Sequence, residues 1–267
     1  MLGTVIGDIV GSIYEFHNIK TKRFRLFGER CEFTDDSIMA LAVAKALLDV
    51  GDNRDEAVLQ QAFIRSMQEL GRKYPHPMGA YGNRFSQWLR SDNPTPYNSW
   101  GNGSAMRVAA CGFAGKSLED AEYLARISAE VTHNHPQGVK GAQAVAACIY
   151  LARTDNSPTA IQGYVESRYY PLTKTLDEIR PRYRFDDSCQ GTVPQAIQAF
   201  LEAADFEDAI RNAVSIGGDS DTLTAITGGI AEAFFGIPED IRKKAREYLT
   251  PDLLEILDDF ETMVEKN

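Results

Sequence analysis

Thr34-Asp35-Asp36-Ser37-Ile38-Met39-Ala40-Leu41-Ala42-Val43-Ala44-Lys45-Ala46-Leu47-Leu48-Asp49-Val50 decides the fold class. From Asp35 to Asp49 apolar side chains occupy nearly every face of a helical wheel, where a surface helix would show only a stripe. A helix of that kind belongs at the centre of a molecule, so other helices must surround it. The flanking sequence supplies them. Leu2–Glu15 is apolar and rich in small residues, and Asp55–Tyr74 alternates charged and apolar residues at helical spacing. Ser117-Leu-Glu-Asp120 resembles a capping box ahead of an apolar face at Leu118, Ala121 and Leu124. Gly138–Arg153 is Ala-rich, and Ser157-Pro158 reads as a cap with a first-turn proline. Further helices are expected at Val193–Ala204, Phe206–Ser215, Thr222–Phe235, Glu239–Tyr248 and Pro251–Val264, with loops at Asn18–Phe33, Tyr74–Tyr81, Ser91–Gly103 and Tyr169–Gly191. No β-branched run alternates over strand length. The expectation is an all-α fold, a single compact multi-helix domain over residues 1–267.

The composition narrows the function. The 267 residues carry 28 basic and 38 acidic side chains, a net charge of −10, and 43% are hydrophobic. That is a globular balance, and its acidity argues against a nucleic-acid binder. Cys31, Cys111, Cys148 and Cys189 form neither a C-x-x-C pair nor zinc-finger spacing, so buried thiols in a reducing compartment are expected. The N-terminus lacks a signal-peptide pattern. Ile38–Val50 is too short and too charged to span a bilayer. These features read as a cytoplasmic protein without membrane contact; they say nothing of oligomeric state.

Two acidic clusters precede helices that must be buried: Thr34-Asp35-Asp36-Ser37, and Gly217-Gly218-Asp219-Ser220-Asp221-Thr222. A single cluster would be explained by helix capping, with Thr34 and one of Asp219 or Asp221 as caps. Two aspartates at each of two sites exceed what caps require. Two carboxylates ~4 Å apart repel by about 4 kcal/mol at an effective dielectric of 20. Divalent cations relieve that repulsion, and carboxylate and hydroxyl oxygens suit Mg²⁺ or Mn²⁺ rather than zinc. Glu15, in Gly7-Asp8-Ile-Val-Gly11-Ser-Ile-Tyr-Glu15, is a third source of charge. If Glu15, Asp35, Asp36, Asp219 and Asp221 meet, two divalent cations nearly neutralise them.

With Gly101-Asn102-Gly103-Ser104-Ala105-Met106-Arg107 and Thr132-His133-Asn134-His135-Pro136, these clusters make five ordered signatures. From Gly3 to about Pro238 the chain resembles the ADP-ribosylglycohydrolases of the dinitrogenase reductase-activating glycohydrolase type. The resemblance implies an all-α fold with two divalent cations, Mg²⁺ or Mn²⁺, at the bottom of an ADP-ribose cleft. It implies metal ligands at Thr34, Asp35, Asp36, Asp219, Asp221 and Thr222. Glu15 would stand at the metal edge near the scissile bond, with Glu15 or Asp36 taking the proton of the attacking water. Diphosphate and distal ribose contacts map to Ser99, Trp100, Gly101, Asn102 and Gly103, with Gly82 nearby and His133 lining the cleft. Ser37 stands where the family usually has Thr, and Tyr164–Gly191 matches none of its motifs.

The implied activity is release of ADP-ribose from an ADP-ribosylated target, most plausibly arginine-linked protein. Another linkage (serine, O-acyl or a small conjugate) or a non-catalytic ADP-ribose binder is the alternative. The chemistry is coherent, since cations and exposed backbone N–H groups can hold an anionic ligand on an acidic protein. Other motifs carry less. Gly115-Lys116-Ser117 lacks the glycine a phosphate loop needs, because position 110 is Ala110, and Ser117 is better read as a cap. His133 and His135 are read as cleft or capping residues before a metal pair, His17 and His76 as loop residues, and Arg107 as an ion-pair partner.

Overall fold

A computed structural model describes residues 1–266 of the chain. It contains fifteen α-helices and no strand beyond two isolated bridges, Thr34 with Met78 and Gly101 with Ser188. In chain order the first eight are α1 (Leu2–Gly11), α2 (Asp35–Val50), α3 (Glu56–Lys73), α4 (Asn83–Arg90), α5 (Gly103–Met106), α6 (Ala109–Ala114), α7 (Leu118–Glu130) and α8 (Pro136–Arg153). The remainder are α9 (Pro158–Arg168), α10 (Leu176–Ile179), α11 (Cys189–Leu201), α12 (Phe206–Ile216), α13 (Ser220–Phe235), α14 (Glu239–Arg246) and α15 (Pro251–Glu265). None is long and apolar enough to cross a membrane.

Two helices form the centre. α2 is buried from Asp36 to Ala44 and packs against α3, α6 and α15. α13 is buried from Ser220 to Ala231 and lies against α1, α8, α11 and α12. The contact between α1 and α13 is unusually close. A Cβ on Gly3 would stand 2.3 Å from the Gly228 carbonyl oxygen, one on Gly7 2.0 Å from that of Thr224, and one on Gly11 2.5 Å from that of Ser220. Only glycine at this i, i+4, i+8 stripe lets the two backbones meet. The N-terminal amine adds a buried ion pair to Glu232 at 2.7 Å. One continuous apolar cluster links these helices to the rest, and all four cysteines are buried and free.

The helix boundaries differ from expectation at identifiable places. α1 stops at Gly11 and a 3-10 turn, Ser12–Tyr14, carries the chain to Glu15. α11 begins at Cys189, four residues before the expected Val193, because Ser188 caps it through Gly191 N and Pro194 is accommodated inside. α13 begins at Ser220 rather than Thr222. α4, α5, α6 and α10 form inside stretches expected to be loop or left unassigned.

Candidate active site

The chain between α12 and α13 turns through Gly217 and Gly218, at φ +69° and +79°, a left-handed pair that suits glycine. Asn18 clamps this turn: its Nδ2 donates to the Gly218 carbonyl at 2.8 Å, and its Oδ1 accepts from Gly218 N at 2.7 Å. The clamp sets Asp219 and Asp221 at the start of α13, facing the start of α2. Asp219 occupies the N-cap position, yet its side chain caps nothing. Its Oδ2 instead accepts from Asn102 Nδ2 at 2.7 Å, and the same amide group donates to Thr192 Oγ1 at 3.0 Å. Thr34 does cap α2 through Asp36 N at 3.1 Å. Capping therefore explains Thr34 and leaves the aspartates unexplained.

These residues enclose a cavity of about 260 Å³ open to the surface. Glu15, Asp35, Asp36, Asp219, Asp221 and Thr222 line one part, and Gly82, Ser99, Gly101, Asn102, Gly103 and His133 line another. Thr34 lies just behind the wall, fully buried. Trp100 is absent from the lining: it is 51% exposed, with its ring edge-on to His135 at 5.5 Å. A wider groove of about 790 Å³ lies between α2, α3 and α15, where Lys45 pairs with Asp49 and Lys73 with Asp252. It has no comparable group of unpaired acids.

Asp8 belongs to the acid cluster although the sequence reading assigned it no role. It is fully buried in α1, and its carboxylate accepts from Thr34 N at 2.8 Å, Thr34 Oγ1 at 2.6 Å, Ser37 N at 3.1 Å and Ser37 Oγ. Carboxylate oxygens of Asp8, Asp36 and Asp221 lie within 4.8 Å of one another, as do those of Glu15, Asp219 and Asp221. Asp36 Oδ1 is buried and has no hydrogen-bond partner among the described residues. The ion pairs among the described residues all lie elsewhere.

Crowding shows in the protonation equilibria. Burial, then Asp8 and Asp35, push Asp36 well above the usual carboxylate range. Burial, then Asp219 and Asp36, do the same to Asp221, and burial with Asp8 and Asp219 does so to Asp35. Burial, with Asp219 and Asp8, raises Glu15 to about 7. Buried carboxylates packed this closely, one with an orphaned oxygen, are all hard oxygen donors and fit divalent cations.

The other ionisable residues sort cleanly. His135 caps α8, its Nδ1 accepting from Gln137 N at 3.1 Å, while His133 lines the cavity. His17 and His76 are exposed in loops. Arg107 is no ion-pair partner. It is 1% exposed, its Nη2 donates to the Ser128 carbonyl and to Thr132 Oγ1, both at 2.8 Å, and its Nε has no partner among the described residues.

Comparison with known proteins supplies the class that fold and cavity leave open. The family model for ADP-ribosylglycohydrolase matches residues 1–267. The chain belongs to the ADP-ribosylglycohydrolase family and is a hydrolase. It is 26% identical to the ADP-ribosylhydrolase ARH3 of Homo sapiens, across 95% of this chain and 90% of that one. It is 29% identical to the ADP-ribosylarginine hydrolase Tri1 of Pseudomonas putida, across 92% of this chain and 73% of the relative. A solved structure titled ADP-ribosylglycohydrolase-related protein complex shares the fold, with a TM-score of 0.68 at 22% identity, covering 98% of this chain and 95% of its own.

Proposed function

We propose that this hydrolase releases ADP-ribose from arginine-linked ADP-ribosylated protein and depends on two divalent cations, Mg²⁺ or Mn²⁺. The observation that carries the reading is the convergence of six carboxylates from three chain segments, none in an ion pair among the described residues: Glu15, Asp35, Asp36, Asp219 and Asp221 line one cavity, and Asp8 is buried against Asp36 and Asp221 behind its wall. The two carboxylate triplets share Asp221, an arrangement suited to two neighbouring cations rather than one. Asp8, Asp36 and Asp221 would hold one, and Glu15, Asp219 and Asp221 the other. Thr34, Thr222 and Asp35 are close enough to complete the set or orient it. When bound, such cations offset the negative charge, hold ribose hydroxyls and make a water more acidic.

The chain's own groups then have distinct tasks. In the glycine turn at 101–103, Ser99 Oγ holds Gly101 N and the Asp187 carbonyl holds Asn102 N, which leaves Gly103 N, without a partner among the described residues, as a backbone donor beside the cavity suited to a diphosphate oxygen. Cleavage at the anomeric carbon builds oxocarbenium character, which buried carboxylates favour. Glu15, half-buried at the cavity edge beside the second carboxylate triplet, is placed to accept the proton of the attacking water. The cavity is smaller than a usual ligand pocket. A ligand as long as ADP-ribose therefore extends to the rim, where Trp100 offers a flat aromatic face.

Arginine is favoured over other linkages by the similarity to Tri1, whose name specifies it. The linkage is tested by offering arginine-, serine- and O-acyl-linked ADP-ribose at equal concentration. The arginine conjugate should give the highest kcat/KM. A higher value for serine would replace the linkage and leave the reaction class standing.

A further inference from the structure

Arg107, Thr132 and His133 form a buried chain behind the glycine turn. Arg107 Nη2 donates to Thr132 Oγ1 at 2.8 Å, and Thr132 Oγ1 stands 2.7 Å from His133 Nδ1. A guanidinium only donates, so Thr132 Oγ1 must accept from it. The Thr132 hydroxyl keeps one proton, and among the described residues its only acceptor is His133 Nδ1. The arrangement that satisfies every donor in the chain has Nδ1 accepting from that hydroxyl, which puts the proton of the neutral ring on Nε2.

Nε2 faces the glycine turn. A Cβ on Gly103 would come 3.3 Å from it and one on Gly101 3.6 Å, so the two glycines leave it uncovered on that side. Among the described residues Nε2 has no hydrogen-bond partner, and His133 lines the cavity. We propose that Arg107 and Thr132 are positioning residues that hold His133 as the Nε2–H tautomer, presenting a hydrogen-bond donor to an acceptor oxygen of the bound ligand. Burial and the nearby Arg107 charge also hold the ring neutral, well below its ordinary pKa. The cavity thereby sets the carboxylate triplets of α1, α2 and α13 against a donor backed by a buried cation, although Asp187, whose carbonyl holds the glycine turn, also lines it. A diphosphate-bearing ligand would enter in one orientation. This last step rests on the ADP-ribose reading; the tautomer does not.

The test is nitrogen-15 NMR of histidine-labelled protein, with the His133 signals identified by their loss in His133→Gln. The wild type should show a pyrrole-type Nε2 and a pyridine-type Nδ1. Thr132→Val keeps the shape and removes the hydroxyl. It should mix the tautomers and weaken ADP-ribose binding on the order of tenfold, the loss of one hydrogen bond. Thr132→Ser should restore both. If Thr132→Val does not fold, Arg107→Met gives the second reading: it removes the donor that orients the Thr132 hydroxyl proton toward Nδ1 and should let Nδ1–H populate. A wild-type proton on Nδ1, or a ring unmoved in both variants, would overturn the proposal. The expected tautomer without ADP-ribose binding by the wild type would support the relay and sink the ligand reading instead.

Discussion

Asp221 supplies an oxygen to both carboxylate triplets, whereas Asp219 supplies one to a single triplet and is also held by Asn102. Asp221→Asn should therefore lower cation affinity on the order of 100-fold, more than Asp219→Asn does, and abolish ADP-ribose release. Calorimetric titration of each variant with Mn²⁺ checks the ranking; equal affinities would remove the shared-ligand geometry. Asp8→Asn is the companion case. An amide NH₂ would confront donors from Thr34 and Ser37, a loss of about 2–3 kcal/mol by urea unfolding with cation present. In chelator the loss should be smaller, because one buried charge is also removed. The clusters at Thr34–Ser37 and Gly217–Thr222 were legible because helix caps cannot explain paired aspartates. Asp8 was overlooked, although a lone carboxylate inside Leu2–Gly11, otherwise without charge, was signal enough. Arg107 was misread as an ion-pair partner because sequence shows charge and hides burial. Trp100 was legible as a neighbour of the glycine turn, but the direction of its ring was not.

At the level of the element, α1 and α13 bring the acids together. Gly7→Ala would drive a methyl into the Thr224 carbonyl, costing about 1–3 kcal/mol as overpacking. It should also reduce activity, by moving Asp8 away from Asp221. Gly163→Ala in α9 is the contrast: nothing lies within 4 Å of its added Cβ, and alanine favours a helix by up to about 1 kcal/mol. Thermal melts of the two should shift in opposite directions; a neutral Gly7→Ala would mean that the close approach is not needed. The long helices were legible from apolar periodicity and caps, as at Ser117 and Ser157. α4 was missed although Phe85, Trp88 and Leu89 have helical i, i+3, i+4 spacing, since it is only two turns long. α5 and α6 are short and, apart from Met106 and Phe113, made of small residues packed against α8, so tertiary packing rather than local pattern defines them. The start of α11 was masked by Pro194, which sequence reads as a first-turn residue.

For the whole molecule, a net charge of −10 coexists with a cavity that concentrates acid. Raised carboxyl pKa values mean that the cation-free fold favours the protonated acids. Their contribution to stability is thus complete below the unfolded value near 3.8 and declines as pH rises through the raised folded values. A bound cation reverses this by favouring the charged forms. The rise in Tm on adding Mg²⁺ or Mn²⁺ should therefore grow between about pH 5 and about pH 8, reaching about 5–10 °C at a hundredfold excess over Kd. A rise that shrinks with pH would contradict cation binding by these carboxylates. The most direct measurement is release of free ADP-ribose from an arginine-ADP-ribosylated protein, followed by mass spectrometry with Mg²⁺, with Mn²⁺ and with chelator. Release with either cation, abolished by chelator and by Asp221→Asn, is expected. Release that persists undiminished in chelator would contradict the cation-dependent site.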